Sequence, residues 1–185
     1  MDIRSYVRYA FGVLLLIGAI ILMVVLFNVI RSSFQQTDTR PALQAPNEKV
    51  LNESAGKGLP VQFTVRGIVN AQETHRSIRI TVDRSTRTID VLEGYNGKVI
   101  KTQTLPNTTE AYNTFIDSLE GAGFAKRAVG DKRGVEGVTC PLGLLYAYEI
   151  DPGANPAVLR TWSTSCSSNQ GSFNGSRVQV QTLFQ

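Results

Sequence analysis

The sequence predicts an α+β domain that follows a single N-terminal transmembrane helix. Three observations indicate this fold class. Residues 9–27 form an apolar run without a charge. Several segments after residue 60 alternate between apolar and polar positions, as strands do, and one later segment has the apolar spacing of a helix. We expect an antiparallel sheet, made of a meander and a disulfide-bonded hairpin and packed by one or two helices.

Composition excludes several classes of protein. The chain has 185 residues, with 19 Lys and Arg, 15 Asp and Glu, one His and two Cys. This length fits one globular domain with an appendage, and the few Cys and His exclude a metal–thiolate cluster. We expect no metal and no cofactor. Residues 60–185 contain 13 Lys and Arg against 11 Asp and Glu, and this difference of +2 is too small to indicate nucleic-acid binding.

The segment 9–30 is the predicted transmembrane helix. It holds 22 residues between Arg8 and Arg31, and only Asn28 among them is polar. About 20 apolar residues cross the hydrocarbon core of a bilayer. A buried helix of this length would show a polar face, and a cleaved signal peptide would have a shorter apolar run before a small-residue cleavage site. The sequence therefore favours an uncleaved signal-anchor in contact with the lipid bilayer.

The remaining regions follow from this anchor. Residues 1–8 form a short tail that is expected to stay in the cytoplasm, since such tails rarely cross and long domains translocate largely regardless of charge. Residues 31–59 are rich in Gln, Asn, Pro and Gly and predict a flexible linker. Residues 60–185 then form an extracytoplasmic α+β domain, so the chain is a single-pass protein of the cytoplasmic membrane.

Two hairpins are predicted in the first half of this domain. A two-residue turn at Arg84-Ser85 pairs residues whose numbers sum to 169. These pairs are Ile78 with Val91, Ile80 with Ile89, Arg79 with Asp90, and Thr81 with Thr88. The turn thus agrees with the apolar alternation, and the charged pair is assigned to the solvent face. Asn96-Gly97 favours a type I′ turn into the next strand, residues 98–105.

Helices are predicted after this meander and at the C-terminus. The sequence from Asn107 to Glu110 has the form of a capping box. Apolar residues follow at helical spacing, namely Tyr112, Phe115, Ile116 and Leu119, and Gly121 with Gly123 would end the helix. Residues 176–185 suit a short helix capped by Ser176, although a strand is the alternative.

A further hairpin, in the second half of the domain, carries both cysteines at its mouth. Strands are predicted over residues 144–150 and 157–163, joined by the turn residues between them. Cys140 and Cys166 have their midpoint at residue 153, inside that turn, so antiparallel pairing would bring them together as a disulfide requires. The closed loop of about 27 residues would stabilise the domain by roughly 3–4 kcal/mol. Such a bond persists in an oxidising compartment and supports an extracytoplasmic domain.

No catalytic residue is predicted. A thiol enzyme needs a thiolate and a base; the disulfide removes the thiols, and His75, in a turn, is expected to be solvated. Motifs such as G-x-S-x-G, H-E-x-x-H and the P-loop are absent. Glu149 and Asp151 are interpreted as charges at the hairpin edge, and the hydroxyl-rich residues 163–168 as a surface loop.

The C-terminal part resembles a group of bacterial proteins. The residues that carry the likeness are Thr139-Cys140-Pro141-x-Gly143, Tyr146-x-Tyr148-Glu149, Trp162-Ser163-Thr164-Ser165-Cys166 and Gly171-Ser172-Phe173-x-Gly175. This pattern resembles small membrane-anchored envelope proteins of candidate-phyla-type bacteria that have no assigned activity. The resemblance implies a cell-envelope location, and only the cysteine pair carries over from it.

Two surfaces are candidates for binding. The loop with Lys126, Arg127, Lys132 and Arg133 forms a basic patch that suits anionic envelope polymers or headgroups, although a solvated loop is the first explanation. Tyr95, Tyr146, Tyr148 and Trp162 are aromatic residues in or beside strands. Core packing is the first explanation for Tyr146 and Tyr148, and an aromatic platform for carbohydrate is the alternative.

The sequence therefore leads us to expect a membrane-anchored extracytoplasmic binding or structural module of the cell envelope, rather than an enzyme. Its expected partners are the bilayer, through residues 9–30, and an envelope protein or anionic polymer. The alternatives are an enzyme that acts on an envelope polymer through carboxylates or hydroxyls, and an accessory subunit of a secretion or pilus machine. Nucleic acid is not an expected partner, and no oligomeric state is predicted.

Overall fold

A computed structural model of the chain describes residue 23 and residues 45–128, 134–167 and 170–185. The predicted tail, residues 1–8, and the predicted transmembrane segment, residues 9–30, lie outside these residues, apart from Met23. Within the described part of the chain, no helix has both the length and the apolar character needed to cross a membrane.

The domain is built on one sheet of six antiparallel strands with the spatial order β4-β3-β2-β1-β5-β6. The strands are β1 (Val61–Arg66), β2 (Arg76–Val82), β3 (Thr86–Glu93), β4 (Lys98–Pro106), β5 (Leu145–Ile150) and β6 (Leu159–Thr164). The described helices are α1 (Ala45–Lys57), α2 (Thr109–Gly121) and α3 (Arg177–Leu183). The predicted α+β class with an antiparallel sheet is confirmed.

The two faces of the sheet have different surroundings. Alternate residues of β1 and β5, such as Phe63 and Tyr148, join one buried apolar cluster. All three described helices contribute to this cluster, through Leu51, Ile116 and Val180. The other face carries the intervening residues of the strands, polar ones such as Gln62 and Thr64 together with Leu92 and Ala147, and no described helix packs against it. We call it the open face.

The register of β2 and β3 is confirmed at every predicted pair, including Arg79 with Asp90. Asp83 stabilises the turn, because its Oδ1 accepts hydrogen bonds from the backbone N–H groups of Ser85 and Thr86, both at 2.7 Å. Burial alone would raise the pKa of Asp83, but hydrogen bonds from Thr86 and Ser85 hold it below its ordinary value.

The predicted type I′ turn at Asn96-Gly97 is wrong. Glu93 pairs with Lys98, so the loop between β3 and β4 has four residues instead of two. Its positive φ angles belong to Gly94 and Gly97, at 69° and 66°, whereas a type I′ turn would also need one at Asn96. The loop is longer than predicted because Tyr95 does not pair with β4. Its side chain instead contacts the loop before β2.

Helix α2 is confirmed, with a different first residue. The cap is Thr108, whose side chain accepts from the backbone N–H of Ala111 at 3.1 Å. Asn107, the predicted cap, instead donates its side-chain amide to the backbone oxygen of Asp83. The C-terminal helix is also confirmed, with Ser176 as its cap.

The flexible linker predicted for residues 31–59 is wrong in its second half. Helix α1 covers Ala45–Lys57, and Leu51 on it is 0% exposed within the core. Two polar contacts add to this packing, because Asn52 donates to the Glu120 carboxylate and Arg84 donates to the backbone oxygen of Ala55. The compact unit therefore begins before residue 60.

The Cys140–Cys166 disulfide is present, with 5.9 Å between the two Cα atoms. The predicted antiparallel pairing centred on residue 153 is wrong, and it does not explain why the two cysteines meet. β5 and β6 pair with numbers that sum to 309, as in Leu145 with Thr164, so the continued ladder would place Gly143 opposite Cys166. Cys140 reaches that position because residues 140–143 form a turn, closed by the hydrogen bond from Gly143 N to Cys140 O.

Candidate functional site

The open face contains a polar groove that we take as the candidate functional site. Its volume is about 240 Å³, and it lies over β1, β2 and the loop after β3. The residues that line it are Gln62, Thr64, Arg66, His75, Ser77, Arg79, Leu92, Gly94, Tyr95, Asn96, Gly97 and Glu149. We refer to this set as the open-face groove.

Strand alternation and register bring these residues together. Gln62, Thr64 and Arg66 occupy every second position of β1, so they point away from the core that holds Phe63. Pairing with β2 places Arg66 opposite Ser77 and Thr64 opposite Arg79. Pairing with β5 places Gln62 opposite Glu149. The groove therefore combines residues that are far apart in the chain.

The floor of the groove is a continuous hydrogen-bond network. Gln62 donates its side-chain amide to Glu149 at 2.6 Å and accepts from the Thr81 hydroxyl at 3.4 Å. The other carboxylate oxygen of Glu149 accepts from Arg160 Nε at 2.9 Å. Each oxygen of Glu149 thus accepts one hydrogen bond from a protein donor, and the carboxylate positions Gln62 and Arg160.

Arg79 is held on one side of the groove by Asp90. Its Nε and Nη2 donate to one oxygen of Asp90 at 3.1 and 2.8 Å, and Thr102 donates to the other at 2.7 Å. Burial alone would raise the pKa of Asp90, but the hydrogen bonds from Thr102 and Arg79 and the Arg79 charge hold it below its ordinary value. The sequence prediction of a cross-strand ion pair on the face opposite to the core is confirmed.

Arg66 is the most loosely held cation of the groove. Arg160 binds both oxygens of Glu136, through Nη1 and through Nη2 at 2.7 Å. These hydrogen bonds raise the pKa of Arg160 further above its ordinary value. Arg66 approaches Glu136 only to 3.8 Å, and its side chain is 45% exposed. Its guanidinium can therefore bind an additional anion at the mouth of the groove.

His75 and Tyr95 form the wall at the end of the groove. Their rings stack with centroids 4.2 Å apart, and the Tyr95 hydroxyl both donates to Asn70 O and accepts from Asn70 N. His75 is only 3% exposed, so the expectation of a solvated histidine is wrong. His75 is shielded from solvent by a tertiary contact, because Tyr95, which is distant in sequence, stacks over its ring.

The contact of His75 with Ser77 resembles a base–nucleophile pair in composition but not in geometry. His75 Nδ1 lies 3.2 Å from the backbone oxygen of Ile68, which only accepts, so in the neutral imidazole Nε2 accepts from Ser77 Oγ. That distance is 3.4 Å, longer than the roughly 2.6–3.2 Å of an activated hydroxyl. Ser77 is itself buried, so the contact orients the histidine ring.

Other residues singled out from the sequence are placed outside the groove. Tyr146 and Tyr148 are core residues, as predicted, and burial raises the pKa of Tyr148 to about 12. Asp151 begins the turn after β5. Ser163, from the hydroxyl-rich segment, lies inside β6 and shares a hydrogen bond with the Tyr148 hydroxyl at 3.0 Å, whereas Ser168 lies outside the described residues.

The predicted basic loop is described in part. Arg127 donates to the backbone oxygen of Arg160 at 2.9 Å, which ties the start of the loop to β6. Lys126 lies beside it, and Lys132 and Arg133 lie outside the described residues. The loop stays a predicted binding surface.

Neither a metal site nor a similar protein of known function gives further information about the groove. In the ranges that the structure describes, no three His, Cys, Asp or Glu side chains are grouped so that they could hold a metal ion. No protein-family model, curated protein or solved structure matches the chain.

Proposed function

We propose that the chain is a membrane-anchored extracytoplasmic binding module of the bacterial cell envelope, and that the open-face groove is its ligand site. The observation that carries the location is the Cys140–Cys166 disulfide, because such a bond persists in an oxidising compartment. The uncharged apolar segment at residues 9–30 supplies the anchor.

The state of the polar groups supports binding rather than catalysis. The carboxylates of Glu149 and Asp90 are each held by an arginine and by one further donor. A general base has to lie within hydrogen-bond distance of a proton on its substrate, whereas these two carboxylates are directed at protein donors. A binding site instead benefits from side chains that are already ordered, since little conformational entropy is then lost when the ligand enters.

Thiol labelling of intact cells tests the location. The wild-type chain has two cysteines, both in the disulfide, so a membrane-impermeant maleimide should not react with it before reduction. Ser118→Cys introduces an exposed thiol on α2, and Ser5→Cys introduces one in the N-terminal tail. We expect Ser118→Cys to be labelled in intact cells and Ser5→Cys only after lysis.

The opposite pattern would overturn the proposal. If Ser118→Cys is labelled only after lysis, and the wild-type thiols react in lysates without a reductant, the domain faces the cytoplasm. The two introduced cysteines serve as controls for each other, since they differ only in the side of the membrane that they are expected to occupy.

A further inference from the structure

We propose that the open-face groove binds a single sugar residue that carries a carboxylate, with the sugar ring stacked on Tyr95 and the carboxylate paired with Arg66. This inference rests on the proposed function and names the ligand class of the same site.

Tyr95 is a rigid aromatic platform in the end wall of the groove. Its ring is fixed by stacking on His75, its hydroxyl by Asn70, and its backbone N–H by the side-chain oxygen of Gln72 at 3.1 Å. Tyr95 nevertheless remains 52% exposed. An exposed aromatic side chain that is already immobile provides apolar area without an ordering cost, and the C–H face of a sugar ring is the surface that suits it.

The floor beneath this platform is polar, which suits sugar hydroxyls. A hydroxyl both donates and accepts, so a site that binds several of them needs donors and acceptors side by side. The groove offers both kinds, because Thr64 and Ser77 carry hydroxyls and Gln62 carries an amide, next to the Glu149 carboxylate. Gln62, Thr64 and Ser77 are buried around the groove, where hydrogen bonds to a ligand count for more than in water.

Arg66 gives the site its preference for an anion. Its guanidinium is the loosely held cation described above, 3.8 Å from a carboxylate that Arg160 already binds through both oxygens. Arg79, in contrast, is engaged by Asp90. One available guanidinium matches one carboxylate, which it can bind through two parallel hydrogen bonds.

The size of the groove limits the ligand to one ring. Its volume of about 240 Å³ is below the roughly 300–1,000 Å³ of sites for drug-sized molecules. A single sugar residue fits this space, and an attached chain would extend into solvent past Tyr95. The site therefore suits the end or one unit of an acidic polysaccharide.

Calorimetric titration of the full chain in detergent micelles tests the ligand class, with glucuronate, glucose, acetate and inorganic phosphate as probes. We expect glucuronate to bind at least about tenfold more tightly than glucose, since one charge-assisted bidentate contact separates them. Acetate and phosphate, which have no ring to stack, should give no saturable binding.

Three variants assign the contacts. Arg66→Gln should reduce the affinity for glucuronate to that for glucose, whereas Arg87→Gln, the matched control on the core side of β3, should change neither. Tyr95→Leu should weaken both sugars several-fold. Tyr95→Phe keeps the ring and loses only the hydroxyl contact with Asn70, so it should retain most of the binding even if Tyr95→Leu folds poorly.

Several results would overturn the inference. Equal affinity for glucuronate and glucose would show that Arg66 does not bind the carboxylate. Saturable binding of acetate or phosphate alone would identify a simple anion site. If no probe binds while the labelling of Ser118→Cys still places the domain outside the cell, the sugar site is wrong and the proposed extracytoplasmic location stands. Labelling of Ser118→Cys only after lysis would instead contradict the proposed function itself.

Discussion

Gly143 lies directly against the sulfur of Cys140: a β-carbon added to Gly143 would stand 2.2 Å from that Sγ. The same β-carbon would stand 2.6 Å from Ser165 Oγ and 3.0 Å from Cys166 Sγ. Gly143 is the residue that the β5–β6 register places opposite Cys166. The disulfide thus occupies the space that a side chain at this position would need, so the bridge requires glycine at position 143.

Gly143→Ala should destabilise the oxidised domain by about 1–3 kcal/mol, the usual effect of overpacking a filled site. Urea unfolding can be followed by the fluorescence of Trp162, the one tryptophan of the chain, which lies in β6. Gly121→Ala is the matched control, since nothing lies within 4 Å of the added β-carbon. Equal unfolding free energies for the two variants would show that the bridge tolerates the methyl group.

Reduction of the disulfide should lower the unfolding free energy of the domain by roughly 3–4 kcal/mol, because the unfolded chain then regains the freedom of the 27-residue loop that residues 140–166 close. The measurement is urea unfolding of the wild-type chain with and without dithiothreitol. The variant Cys140→Ser with Cys166→Ser should match the reduced wild type and should not respond to the reductant. A midpoint that does not move on reduction would contradict the prediction.

Leu51→Ala should destabilise the domain by about 2–5 kcal/mol, since Leu51 is completely buried in the core and its loss leaves a cavity. Glu53→Ala, at an exposed position of the same helix, should stay within about 0.5 kcal/mol of the wild type. Thermal unfolding of the two variants compares them directly. Similar stabilities would mean that α1 contributes little to the folded domain.

Several elements were predictable because two independent signals agreed. The β2–β3 register followed from the turn at Arg84-Ser85 together with the apolar alternation around it, and the structure confirms each pair. The disulfide was predicted correctly from a pairing centre that is wrong: the β5–β6 register places Gly143 opposite Cys166, and the turn at residues 140–143 brings Cys140 to that position. Local signals suffice where residues close in sequence determine the contact.

The groove and α1 could not be predicted because their contacts are tertiary. Helix α1 has few apolar residues, and it is ordered by the burial of Leu51 against elements that are distant in sequence. Gln62 and Thr64 belong to the alternating polar positions of β1, which usually indicate a solvated face, yet both are buried. The stacking of Tyr95 on His75 joins two loops, and no periodic pattern encodes it.

Asp90→Asn should make the stability of the domain less sensitive to acid. The folded-state pKa of Asp90 lies below its ordinary value of 3.8, so its ionised form stabilises the fold above that pH, and this contribution is lost as the pH falls through the folded-state pKa. The variant should lose about 1–2 kcal/mol at neutral pH, because the charge-assisted hydrogen bonds from Arg79 and Thr102 are weakened. The two proteins should approach each other in stability as the pH falls through the folded-state pKa of Asp90, since the wild-type carboxylate is then protonated. Asp117→Asn, at an exposed position of α2, controls for the general effect of removing a carboxylate.

Urea unfolding of all three proteins between about pH 7 and pH 2 measures the effect. A constant difference between wild type and Asp90→Asn over that range would show that the Asp90 charge does not stabilise the sheet.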